Sequence, residues 1–250
     1  MSSIDANKKA EGYERGQNHV LDNLGLLFQS SEHGQWIMKA GNIVKLHEKL
    51  KEFNPKHILE LGTGVGCSTA VLAFSCPEAS IYTVEQKQKC IDIAKKLIPH
   101  NLQERIYFRK ADPQAVVVPQ VNPFVSWSMF SDFDWLKGGY DFILIDAPGP
   151  FLTKLNVGGN YWETMADLPN GDVINLLPKM SPGTIVYVDG RKPTTRLYNR
   201  HLGNYLEKLE EDKGYAIYRR TDKQLNSDFS NYENQDVSRD NLTKGKYFDE

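Results

Sequence analysis

Two apolar runs in this 250-residue chain end on an aspartate: FILIDAPGP on Asp146, and IVYVDGRKP on Asp189, which Arg191 and Lys192 closely follow. A carboxylate at a strand end can orient or deprotonate a hydroxyl, cap the next loop, or share a hard divalent cation with a second carboxylate. The neighbouring arginine offers a planar fork of donors to a carboxylate, phosphate or uronate of a substrate, or pairs with one of the aspartates as a structural bridge. Upstream, ELGTGVGCS sets Gly62, Gly64 and Gly66 within five positions, behind one apolar run and ahead of another. Glycines so placed let the backbone turn sharply, let a ligand approach closely and aim helix N–H groups at it. The spacing is not G-x-G-x-x-G, because Cys67 stands where the third glycine of that pattern would fall, and no G-x-x-x-x-G-K-[ST] is present. Glu60, just ahead of the loop, would repel a pyrophosphate and favour a ligand carrying an ammonium group. Glu85 closes the next apolar run, where a carboxylate can accept from both hydroxyls of a ribose. Asp112, after the third run, is placed to accept from the exocyclic amine of a base.

The elements that must carry these residues alternate. HILEL, SIYTVE, RIYFRKA, YDFILIDAP, TIVYVDG and GYAIYRRT read as strands; GCSTAVLAFSC, KQKCIDIAKKLI, GDVINLLPKM and TTRLYNRHLGNYLEKLEE read as helices between them. Ile43, Leu46, Leu50 and Phe53 at helical spacing predict an amphipathic helix leading into HILEL. Alternation of this kind predicts an α/β fold: a doubly wound, mostly parallel sheet with helices on both faces. Ligands of such sheets lie beyond the carboxyl ends of the strands, where the strand order reverses, which is where both aspartates fall. Two long segments, 112–139 and 148–170, are rich in aromatic residues, proline and glycine and are expected to be binding loops or lids. The division predicted is an extension over 1–33, a ligand-binding domain over 34–220, and a polar segment over 221–250 in which Tyr247 and Phe248 could form a last strand.

From Gly34 to Arg220 these features resemble the class I S-adenosylmethionine-dependent methyltransferases, whose signature is matched by ELGTGVGCS followed at the right interval by YTVE. The resemblance implies a Rossmann-like methyltransferase fold. It implies that Gly62, Thr63, Gly64 and Gly66, with Glu60 beneath them, hold the methionine end of the cofactor, and that Ser68 adds a hydroxyl to its carboxylate. It gives Glu85, with Gln86 beside it, to the ribose, Asp112 to the adenine amine, and Asp146 to the cofactor's methyl end. The strand ends are also similar to those of catechol-type and caffeoyl-coenzyme-A-type O-methyltransferases, whose magnesium-like ion is held by an Asp after the fourth strand and an Asp-Asn pair after the fifth. Asp146 and Asp189 match two of these metal ligands. Gly190 replaces the Asn, and Gly149 stands where a lysine base is expected, so a divalent metal is not favoured.

The activity expected is therefore methyl transfer from S-adenosylmethionine to a hydroxyl of a small molecule or saccharide, with Asp146, Asp189 and Arg191 as catalytic candidates. An aminopropyl transferase of the spermidine synthase type shares the sheet and loop, but DAPGPF lacks the acids that a polyamine needs. A non-catalytic cofactor-binding domain is the other alternative, and an NAD-dependent oxidoreductase is disfavoured by the glycine spacing. A net charge of −2 offers no broad phosphate-binding face, and DAPGPF is not an amino-methylating motif, so nucleic acid is an unlikely partner. Cys67, Cys76 and Cys90 lack paired spacing, the first twenty residues lack the apolar core of a signal peptide, and no run approaches ~20 apolar residues. A cytoplasmic protein with buried thiols and no membrane partner is expected; the sequence sets no oligomeric state.

Overall fold

The structure, a computed structural model, describes residues 19–111, 114–118, 124–128, 139–147, 153–157, 160–164 and 169–225. A helix over residues 19–29 (α1) leads to α2 (Ala40–Phe53). The alternating part then runs β1 (His57–Leu61), α3 (Cys67–Ser75), β2 (Ser80–Glu85), α4 (Gln88–Leu97), the short α5 (His100–Gln103) and β3 (Ile106–Lys110). After β4 (Gln114–Val118) and β5 (Phe124–Ser128) come β6 (Phe142–Ile145), β7 (Thr153–Val157), β8 (Asn160–Thr164) and α6 (Asp172–Leu176). The chain continues through β9 (Ile185–Asp189), α7 (Lys192–His201), β10 (Leu206–Glu211) and β11 (Tyr215–Arg220).

Seven strands form one sheet in the order β10-β11-β9-β6-β1-β2-β3, in which β11 pairs antiparallel with both its neighbours and the other pairings are parallel. β1 lies between β2 and β6, so the strand order reverses beside it, and the loops leaving β1 and β6 flank one crevice. Side chains of successive strand residues point to opposite faces. Ile58, Phe142, Leu144, Tyr187 and Ile217 accordingly pack with α1 to α4 on one face, while Leu59, Leu61, Ile143, Ile145, Val186 and Val188 pack with α6 and α7 on the other. Burial on both faces explains why the central strands read as unbroken apolar runs. On α2, Ile43, Leu46, His47 and Leu50 form the buried stripe. Leu21, Leu24 and Phe28 of α1 are also buried, so side chains from before residue 34 belong to the same core.

Two expectations are corrected. LEKLEE, taken as the end of a long helix, is strand β10: α7 stops at His201, and Leu206–Glu211 pairs with β11. The long segments expected as loops contain a second sheet, β5-β4-β7-β8, made of two antiparallel hairpins joined through Gln114 and Asn156. The proposed last strand at Tyr247 and Phe248 lies outside the described residues. Cys67, Cys76 and Cys90 are buried free thiols, and burial pushes Cys67 up to about 12 and Cys76 up to about 11. No helix among the described residues is long and apolar enough to cross a membrane.

Candidate active site

The loop leaving β1 is shaped by its glycines, all at positive φ. A Cβ on Gly62 would stand 2.4 Å from the Cβ of Ala147 and 2.8 Å from the carbonyl oxygen of Asp146, so the exit of β6 passes directly against this residue. A Cβ on Gly66 would lie 2.7 Å from that of Ala94, which brings α4 tightly onto the start of α3. Gly64 has nothing within 4 Å of the equivalent point, which leaves its face of the loop open. Two glycines thus seat the loop on its neighbours, and the third faces open space.

Beneath the loop lies Glu60, fully buried. Its Oε2 accepts from Thr69 Oγ1 at 2.5 Å and from Thr83 Oγ1 at 2.6 Å, and Thr83 is in turn 2.5 Å from Thr63 Oγ1. The other oxygen, Oε1, has no hydrogen-bond partner among the described residues. Burial holds the carboxyl above the usual carboxylate range, while the hydroxyls of Ser68, Thr69 and Thr83 act against that rise. At the end of β2, Glu85 Oε2 accepts from the backbone N–H of Gly64 and Oε1 from that of Lys87, both at 2.9 Å. A carboxylate has about four acceptor positions, so these two bonds leave room for hydroxyl donors. Gln86 follows, half-buried. Asp112 lies outside the described residues.

Across the crevice, Asp146 follows β6 and Asp189 ends β9. Arg191 Nη2 donates to the Asp146 carbonyl at 2.9 Å and to Oδ1 at 3.2 Å. Asn42 of α2 donates from Nδ2 to Asp189 Oδ1 at 2.7 Å and to the Gly214 carbonyl at 3.1 Å. Burial raises both carboxyls: Asp146 is pushed up by burial and by the charge of Asp189, with Arg191 opposing. Asp189 is pushed up by burial to about 6, against the Asn42 hydrogen bond and the charges of Arg191 and Lys39. A carboxyl that titrates near neutral pH is suited to take a proton from a hydroxyl. Beyond Arg191 a recess of about 330 Å³ is lined by the cations of Lys192, Arg196 and Lys213 and also by the carboxylates of Glu211 and Asp212.

The structure therefore brings Glu60, Gly62, Thr63, Gly64, Gly66, Ser68 and Glu85 together on one side of the strand-order reversal, and Asp146, Asp189 and Arg191 on the other. Sequence reasoning missed Asn42 and Lys39, which come from the start of α2 and bear on Asp189. As a divalent-cation site the acidic pair is short of donors, since one oxygen of each aspartate already accepts a hydrogen bond and Gly190 has no side chain. Among the described residues no group of three or more His, Cys, Asp or Glu side chains could hold a metal.

No family model matches the chain. The chain is similar to the protein-L-isoaspartate O-methyltransferase of Aeromonas hydrophila, 33% identical over 115 residues that are 46% of this chain and 47% of that protein. It is 29% identical over 128 residues to the enzyme of the same name from Alcanivorax borkumensis, covering 51% of this chain and 52% of that protein. The chain spans about half the length of the curated relatives it matches. Among solved structures, an S-adenosylhomocysteine-bound methyltransferase from Podospora anserina superposes with a TM-score of 0.53 at 15% identity, over 89% of this chain and 98% of that one. The O-methyltransferase TomG from Streptomyces achromogenes, solved with S-adenosylmethionine, gives 0.51 at 14% identity, over 80% and 89%. At such identities the likeness is one of fold, and the fold is the Rossmann-like one of these methyltransferases.

Proposed function

We propose that this chain, which has the class I methyltransferase fold, binds S-adenosylmethionine and transfers its methyl group to a hydroxyl of a small molecule or saccharide. The observation that carries this reading is the contact between Glu85 and Gly64. It sets a strand-end carboxylate beside the open face of the glycine loop, where ribose hydroxyls find an acceptor. Glu60 below the same loop, in its ionised form, adds to the preference for a ligand with a positive rather than a negative end.

Bound S-adenosylmethionine supplies a methyl group on a sulfonium, which is already electrophilic. The chain's part is to align an oxygen with it and to remove a proton. Asp189 accepts that proton in this reading, since burial has raised it to where it is largely ionised at neutral pH yet still basic. Arg191 and the recess beyond it receive the rest of the acceptor; its four cations, Arg191, Lys192, Arg196 and Lys213, outnumber the carboxylates of Glu211 and Asp212 and suit an acceptor that carries a carboxylate, phosphate or uronate. In this reading Glu85 holds the ribose and the loop from Gly62 to Gly66 holds the methionine end; Asp112, which the sequence resemblance gives to the adenine, lies outside the described residues.

A second reading is methylation of a carboxyl oxygen, favoured by the names of the curated relatives, which are isoaspartate O-methyltransferases. One experiment separates the two. The purified chain is given methyl-labelled S-adenosylmethionine with a panel of hydroxylated small molecules, saccharides and isoaspartyl peptides, and the products are treated with alkali. Label that stays on a hydroxyl acceptor supports the first reading. Label found on peptide alone and released as methanol replaces it with the second. Binding of the cofactor with no transfer to any acceptor overturns both.

A further inference from the structure

Arg191 reaches from the loop after β9 back to the end of β6, where Nη2 holds both the backbone carbonyl and Oδ1 of Asp146. Its side chain is 19% exposed and that of Asp146 13%, so the ion pair is poorly screened by solvent. The charge of Arg191 also acts on Asp189. Two carboxylates in one mostly buried site repel each other and stay ionised only if a positive charge lies among them. A divalent cation is one way to supply that charge, and a guanidinium is another.

Three features favour the guanidinium. The Asp146 oxygen that faces Arg191 is already occupied by it. The Asp189 Oδ1 oxygen is taken by Asn42. The residue after Asp189 is Gly190, at φ 59°, so no third side chain is offered at that strand end. Arg191 nevertheless has donors to spare: a guanidinium carries five N–H groups, its hydrogen bonds among the described residues use Nη2 alone, and Nε is buried without a partner.

We propose that the Arg191 guanidinium takes the place of a divalent cation at the ends of β6 and β9, fixing Asp146 and turning its unused donors toward the acceptor, so that the site operates without a metal. The methyl-transfer reading enters only in naming the acceptor; the test below involves neither cofactor nor turnover. Mn²⁺ uptake is followed by electron paramagnetic resonance on the whole chain, for the wild type and for Arg191→Met, which keeps most of the side chain's bulk and removes its charge. The wild type is expected to show no saturable uptake up to ~1 mM, the weak end of protein cation sites, while Arg191→Met takes up the ion saturably and loses that uptake when Asp146→Asn is added. Arg191→Lys, which restores a charge, is expected to exclude the ion again. Saturable uptake by the wild type that Asp146→Asn removes overturns the proposal. So does equal behaviour of the wild type and Arg191→Met, whether both bind or neither does, because the freed carboxylates would then be no better a cation site than the occupied ones. Circular dichroism checks that Arg191→Met is folded; if it is not, Arg191→Ala takes its place with the same outcomes, and the wild-type titration stands on its own. Failure here leaves the methyl-donor reading intact, and loss of that reading leaves the ion result intact.

Discussion

Removing the Asn42 side chain should push the Asp189 carboxyl further up. Burial has already carried this group from 3.8 to about 6, and the 2.7 Å hydrogen bond from Asn42 is the strongest influence that favours its ionised form. A hydrogen bond to a charged acceptor contributes about 1.5–3 kcal/mol, and one pH unit corresponds to about 1.4 kcal/mol, so complete loss would shift the titration by about 1–2 units. Arg191 and Lys39 still act on the carboxylate, and a water entering the vacated space would restore part of the bond. The shift expected for Asn42→Ala is therefore ~1 unit, the lower end of that range. A carbon-13 NMR titration of the aspartate carboxyls measures it, with Asp189→Asn identifying the resonance. At about pH 6.5 the ionised fraction should drop from about three quarters to about one quarter. Turnover that uses Asp189 as proton acceptor should fall about threefold at that pH and recover in more alkaline solution. A midpoint that stays in place or moves down on loss of Asn42 would refute the reasoning.

The loop glycines should respond differently to alanine. Gly62→Ala drives a methyl into Ala147 and the Asp146 carbonyl and should cost about 1–3 kcal/mol, seen as a Tm lowered by several degrees; an unchanged Tm would contradict the close approach. Gly64→Ala meets no neighbour, so beyond a backbone cost of about 1–2 kcal/mol its effect should appear in ligand affinity. Thr83→Val takes one of the two hydroxyl donors from the buried Glu60 oxygen and should destabilise by about 1–3 kcal/mol in denaturant unfolding, whereas a neutral result would mean that the network contributes little. Burial raises Glu60, Asp146 and Asp189 alike, so the folded chain keeps protons that the unfolded chain releases. Stability from these groups is greatest below their unfolded values near ~4 and declines as pH rises through their folded ones. Asp189→Asn should flatten the fall of Tm with rising pH, and an unaltered slope would remove Asp189 from that linkage.

The sequence shows what is local. Glu60, the glycine loop and Glu85 sit at the junctions of runs whose type is plain from their residues, and β1, β2, β6 and β9 stand out because burial on both faces leaves them apolar throughout. β10 is hidden because Leu, Glu and Lys favour a helix, and only pairing with β11 makes LEKLEE a strand. The hairpin of β7 and β8 did carry a signal: Gly158 and Gly159 separate two short runs by the two residues that tight hairpins prefer. Asn42 is illegible in principle, since 147 positions separate it from Asp189 and only the packing of α2 over the end of β9 joins them. Arg191 is legible in part. Its sequence allows pairing with either aspartate, and the folded chain selects Asp146.

Calorimetric titration of the purified chain with S-adenosylhomocysteine, repeated on Glu85→Ala, tests the central claim most directly. The account predicts saturable binding by the wild type, weakened at least about tenfold when the carboxylate that accepts the ribose hydroxyls is removed. No heat with this ligand or with S-adenosylmethionine, while NAD saturates the chain, would contradict it.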